Sequence, residues 1–177
     1  MTCFLRFIVD RKGIYILKDL LIIRSASFQQ LDKNLPLLMN AFPEHQFHML
    51  THEHGIQLAR KYKVLERIIT YPHKKSFSFW RQVPELKKEK FDSLIIPVSN
   101  LTGAGFLNVL LYSLTISAEQ RYLCNLVGEL KLISAGNIVG MGIKSIVFSF
   151  ISVLITALAV VPLLLGLPLL LRRLAKK

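Results

Sequence analysis

Cysteine is scarce in this chain: Cys3 and Cys124 are the only two in 177 residues. That excludes a disulfide framework, and a reducing compartment would keep both as packing thiols. Acidic side chains are also few, 11 against 23 lysines and arginines, which leaves a formal charge of +12. Such a chain calls for a polyanionic neighbour, either nucleic acid or an anionic membrane face. Neither zinc-ligand spacing nor an aromatic-and-basic RNA signature accompanies the charge, so nucleic acid is not expected. Several catalytic signatures are missing too: there is no Gly-x-Ser-x-Gly elbow, no His-Glu-x-x-His helix, no Walker A sequence and no family-like Cys/His spacing. Asp32, Glu44, Asp92 and Glu119 form no recognisable acid/base pair, and Asp92 is expected to begin a strand.

Apolar residues, by contrast, make up 52% of the chain, which excludes intrinsic disorder and suffices for a core. They are unevenly placed. Ser145 to Leu171 is an uncharged run of 27 residues between Lys144 and the cluster Arg172, Arg173, Lys176 and Lys177. About 20 apolar residues cross a bilayer as a helix, so residues 145–171 read as a membrane segment and 172–177 as its basic tail. Pro162, Gly166 and Pro168 are expected to break regular helix there. Both flanks are basic, which the positive-inside rule satisfies with a re-entrant hairpin bent near Pro162, whereas the length of Ile146 to Leu165 favours a single crossing. The apolar start is interrupted by Arg6 and has no small-residue cleavage site, so no signal peptide is expected, and the main domain is expected in the cytosol at the cytoplasmic membrane.

Residues 1–144 hold all 11 acidic and 19 basic residues, a net +8, and the tail carries +4. The excess is densest from His54 to Lys90, with ten basic residues against three acidic ones. On a tethered protein that face would be drawn to anionic headgroups; alternatively it is solvated helix surface.

From Asp19 onward, strand patterns alternate with helix patterns, the signature of a parallel sheet with crossover helices. Strands are expected at Asp19–Arg24, Gln46–Thr51, Arg67–Tyr71, Ser93–Ile96 and Arg121–Leu126; helices at 28–42, 54–63, 78–90 and 102–117. The fold class is therefore α/β, a single Rossmann-like doubly wound parallel sheet of order 3-2-1-4-5 followed by a C-terminal membrane helix. The domains are expected at 1–18 (extension), 19–126 (Rossmann-like), 127–144 (connector), 145–171 and 172–177.

In that order the first and fourth strands meet at the switch point, where open parallel sheets bind ligands. Ser25 and Ser27 lie in one loop there, and Asn100, Thr102, Gly103 and Gly105 in the other. These six are the candidate substrate-binding residues: two glycines allow a tight turn at a helix start, and the short polar side chains can hydrogen-bond an anion. The alternative is that the glycines serve loop geometry alone. The sequence is no dinucleotide fingerprint, because the third glycine is missing and the loop follows the fourth strand. No cofactor is expected. His45, His48, His52 and His54 crowd into ten residues, but on a strand His48 and His52 stand roughly 13 Å apart, too far for one ion, so no metal is expected.

The run Leu21-Ile-Ile-Arg24-Ser-Ala-Ser-Phe28 through Leu35-Pro36, then Phe42-Pro43, then Phe91-Asp92-Ser-Leu-Ile-Ile96, resembles the amino-terminal domain of heptosyltransferase-like glycosyltransferases of GT-B fold. The likeness covers about residues 19–126. It implies cell-envelope saccharide synthesis, lipopolysaccharide included, from activated sugars. In that family a Gly-Asp pair after the first strand supplies the catalytic base. Here the pair falls on Gln29 and Gln30, and an amide cannot accept that proton, so the catalytic residue is unassigned. The family also holds its nucleotide-sugar mainly in a second domain, whose place is taken here by the membrane segment. Three expectations follow: a membrane-anchored glycosyltransferase-like subunit that needs a soluble partner for the donor site and presents a lipid-linked acceptor; a non-catalytic membrane scaffold with a degenerate glycosyltransferase-like domain; and, behind these, a nucleic-acid-binding module.

Overall fold

The computed structural model describes residues 7–10, 13–101, 103 and 105–174, with side chains described between 17 and 161. It divides into two compact units, Met1–Ile138 and Val139–Lys177.

The first unit is α/β. A short antiparallel hairpin, β1 (Phe7–Asp10) and β2 (Gly13–Ile16), forms a sheet of its own. The main sheet has six strands: β3 (Lys18–Ile23), β4 (His45–His52), β5 (Leu65–Tyr71), β6 (Lys90–Pro97), β7 (Ser117–Cys124) and β8 (Leu130–Leu132). They lie in the order β5-β4-β3-β6-β7-β8, parallel throughout except for the antiparallel β7–β8 pair. The five strands expected from the sequence thus lie in the expected order, but the sheet as a whole is mixed. β8 adds an edge within what reads as a connector, and a hairpin occupies the expected N-terminal extension.

Both faces of the sheet are covered, which is why β3 reads as a continuous apolar run rather than alternating. Leu21 and Ile23 face one layer with Leu50, Ile69, Leu94 and Ile96; Leu20 and Ile22 face the other with Phe47, Met49 and Ile95. The second layer is closed by α1 (Phe28–Ala41), whose Leu31, Leu35 and Leu38 recur at helical spacing and are buried. Burial of each is worth on the order of 2 kcal/mol. The helix starts where the Ser27 hydroxyl accepts from the Gln30 backbone N–H at 3.3 Å, and ends where Phe42 bonds back to Leu38 ahead of Pro43. The first layer is closed by α3 (Leu107–Ser113), through Val109, Leu110 and Tyr112, and by the irregular segment that brings Phe77, Val83 and Leu86 inward.

Three expected helices are shorter than their patterns. Residues 53–59 make a 3-10 turn and the single helical turn α2 (Ile56–Ala59). Within residues 78–89 the helical structure is a 3-10 turn at Glu85–Lys87, because Pro84 blocks a longer helix. The helix expected at 102–117 begins only at Leu107, after two glycines with positive φ.

α4 (Ala135–Leu174) is one helix of 40 residues. The break expected at Pro162, Gly166 and Pro168 is absent: the backbone stays helical to Leu174. A proline removes one intrahelical bond, and an apolar helix can tolerate that loss. The stretch Ala135–Val161 is long and apolar enough to cross a membrane, and none of its most apolar window is buried.

Candidate functional site

β3 and β6 run side by side, with Leu20 opposite Ser93 and Ile22 opposite Ile95, so the loops that leave their carboxyl ends meet. Two hydrogen bonds lace them together. The Ser25 hydroxyl donates to the Pro97 carbonyl, and the Gln30 side-chain amide donates to the Val98 carbonyl at 2.6 Å. Gln30 is buried, whereas Gln29 is exposed. Gln30 therefore holds the two loops together, in a setting where a carboxylate would confront a carbonyl oxygen.

Ser27, Asn100 and Gly103 also have bonds within the loops. Ser27 caps α1. The Asn100 side-chain oxygen accepts from the Gly103 N–H at 2.6 Å and tightens the turn after β6. Gly103 has φ of 78°, and a Cβ there would stand 2.6 Å from Leu123 Cδ1. Gly105 has φ of 84° and open space around it. Thr102 lies outside the described residues. Asp32, two residues beyond Gln30, is exposed and faces the turn after α2 instead: its carboxylate accepts from the Tyr62 hydroxyl at 2.5 Å and lies 3.7 Å from Lys61. Burial and that carboxylate together raise the Tyr62 pKa. Asp92 lies in β6, and its carboxylate accepts from the Asp19 N–H at 2.7 Å.

A second cluster lies beside the first, at the carboxyl ends of β3, β4 and β5. Arg24, just past β3, donates from Nε to Thr51 Oγ1 at 2.8 Å and reaches His54 Nε2 at 3.3 Å. Its guanidinium stands 4.8 Å from the centre of the Phe28 ring. The His52 and His54 rings stack at 5.5 Å. With His73, Lys74, Tyr71 and Glu53 they line a cleft of about 380 Å³. His52 Nε2 donates to the Lys75 carbonyl at 3.1 Å, while its buried Nδ1 meets no partner among the described residues. Arg24 and Lys74 can attract an anion.

The four crowded histidines divide between the two ends of β4. His45 stands edge-on to Phe42, His48 pairs with Asp19 at 2.9 Å, and His52 and His54 belong to the cleft. Sequence reasoning missed the cleft because it applied the carboxyl-end rule only to the first and fourth strands. The signal was present: His52 ends β4, and His54, His73 and Lys74 follow β4 and β5 within three residues.

Burial holds the pKa of His52 below its ordinary value, with Arg24 and His54 adding repulsion, and it does the same for His45. A histidine whose folded pKa is depressed takes up fewer protons than the unfolded chain as pH falls through about 6.5. Stability is therefore expected to fall between pH 7 and pH 5, and replacing both His45 and His52 by Gln should flatten that slope. Urea midpoints across this range check it.

Comparison of the chain with protein-family models, with curated proteins and with solved structures finds no match in any of the three. The class defined by the fold is an α/β unit with one mixed six-stranded sheet and a C-terminal apolar helix.

Proposed function

We propose that this chain is a membrane-anchored glycosyltransferase-like protein of cell-envelope saccharide synthesis, and that it acts as the acceptor-holding half of an assembly whose nucleotide-sugar site comes from a soluble partner. The observation that carries this reading is a cleft lined by three histidines and Lys74, with Arg24 beside it, near the carboxyl ends of β3 and β6 on a chain that also bears an apolar helix. In this reading residues 19–126 are a Rossmann-like unit similar to a GT-B amino-terminal domain. That unit lies in the cytosol, and α4 crosses the cytoplasmic membrane once. A phosphorylated, lipid-linked saccharide suits the cleft chemically, since Arg24 beside it and Lys74 in its lining attract the phosphate. Ser25, Ser27, Asn100, Thr102, Gly103 and Gly105 shape the neighbouring crevice in which the donor sugar would meet it.

Extraction in mild detergent should bring down a soluble protein that itself binds a nucleotide-sugar, and sugar transfer should need both chains. Arg24→Gln together with Lys74→Gln should weaken acceptor retention by about tenfold to a hundredfold, the scale of charge-assisted hydrogen bonds. A chain that stays monomeric on gentle extraction overturns the proposal.

A second reading, a non-catalytic scaffold, is favoured by the Gln30 amide on the Val98 carbonyl, which leaves no proton acceptor at the resembled family's base position. Sugar transfer by the isolated chain, abolished by Asn100→Ala, would overturn it.

A further inference from the structure

Between β5 and β6 the chain makes an excursion over residues 72–89 that has little regular structure. Phe77, Val83 and Leu86 anchor it in the core at 3%, 4% and 1% exposure. Residues 78–82 stand out between the first two anchors. There the Arg81 N–H donates to the Ser78 carbonyl at 2.9 Å, closing a tight turn, and the Gln82 amide donates to the Phe79 carbonyl. The two corners of that turn are Phe79 and Trp80. Their rings meet edge to face at 5.5 Å and are 41% and 87% exposed.

Turn corners ordinarily carry Pro, Asn, Asp, Ser or Gly, which suit the backbone and solvent. Two large aromatics there contribute almost nothing to the core and hold apolar surface outward on a braced loop. The same excursion exposes Lys74, Lys75, Arg81, Lys87 and Lys88, and among the described residues none of the five forms an ion pair. Of its two carboxylates, that of Glu89 is bonded to Arg67, which leaves Glu85 as the local counter-charge.

We propose that the turn Ser78–Arg81 is a bilayer-docking wedge: Trp80 and Phe79 enter the interfacial layer of an anionic membrane while the surrounding cations contact its headgroups. Tryptophan favours that layer because its ring is apolar and its N–H can stay wet. The surplus of positive charge matches anionic lipid, and α4 is apolar enough to put this chain at a bilayer. The wedge gives the folded unit a membrane contact of its own, next in sequence to the cleft residues His73 and Lys74. It rests on the membrane-anchored reading above.

Trp80 is the only tryptophan in the chain, so its emission reports the wedge directly. The full-length chain is reconstituted into phosphatidylcholine vesicles with and without phosphatidylglycerol, and with lipids brominated near the headgroup end of their acyl chains. The expected result is vesicle flotation in both mixtures, with an emission shift to shorter wavelength and bromolipid quenching in the anionic one. Each of Lys74→Gln, Lys75→Gln and Lys87→Gln should lower the docked-to-undocked ratio by about fivefold, and added salt should lower it further. These variants alter exposed side chains, so folding is not at stake. Flotation with Trp80 unshifted and unquenched overturns the wedge and leaves the anchor intact. A shift without quenching overturns it in favour of a protein covering the aromatics. A chain that does not float overturns the anchor, and the wedge with it.

Discussion

Gln30→Asp should destabilise the folded unit by about 2–4 kcal/mol at neutral pH, and the deficit should shrink on acidification. The side chain is 5% exposed, and its amide donates to the Val98 carbonyl at 2.6 Å. Aspartate has no N–H to offer, so a buried carbonyl loses its donor and a carboxylate is left against it out of water. Losing one such bond costs roughly 1 kcal/mol, and leaving a buried polar or charged group uncompensated adds several more. Burial raises the pKa of the new carboxyl above its unfolded value of about 3.9. A group raised in the folded state is neutral in both states at low pH, and its penalty appears as pH climbs through the unfolded value towards the folded one. The difference in urea midpoint between the natural chain and the variant should therefore be smallest below about pH 4 and largest at pH 7. Equal midpoints at all pH values would show that the bond across the switch point holds nothing. Transfer activity gained by the variant would return this position to the role it has in the resembled family.

The core was the legible part of the chain. Leu20 to Ile23 read as a strand covered on both faces, and its residues do divide between two core layers. The order of the five parallel strands followed from right-handed crossovers and a single switch point, rules that do not depend on side-chain detail. What stayed hidden has local causes. Leu130–Leu132 is three residues long, too short for its alternation to rise above noise, and it becomes a strand only because β7 is there to pair with it. Residues 78–90 carry enough helix-favouring composition to suggest a helix, yet Pro84 sits in the middle of the stretch and only a 3-10 turn at Glu85–Lys87 follows it. At the site, Gln29 and Gln30 look alike in sequence, while one faces solvent and the other laces two loops. The Arg24–His54 contact joins residues 30 apart, a juxtaposition that exists only once β3 and β4 are paired.

Gly103→Ala should cost about 2–5 kcal/mol and disturb the bonds that lace the two loops with it. Two penalties combine there. A left-handed backbone with φ of 78° costs a residue bearing a Cβ roughly 1–2 kcal/mol. The new methyl would also stand 2.6 Å from Leu123 Cδ1 in a packed interior, where overpacking costs about 1–3 kcal/mol. Gly105 separates the two terms. Its φ of 84° is equally unfavourable, but no atom lies within 4 Å of a Cβ placed there, so Gly105→Ala should cost only the backbone term. Leu123→Ala combined with Gly103→Ala should then be less damaging than the sum of the two, because the methyl enters the space the leucine leaves. Unfolding midpoints for the four chains of that cycle measure the coupling, and strictly additive losses would refute the clash. The functional consequence follows from the lacing. The turn at Gly103 is held by Asn100 and continues directly from Val98 and Pro97, whose carbonyls hold Gln30 and Ser25. A turn forced to shift by tenths of an ångström therefore strains both bonds that keep the two loops together, whereas Gly105→Ala, farther along with open space around it, leaves them in place.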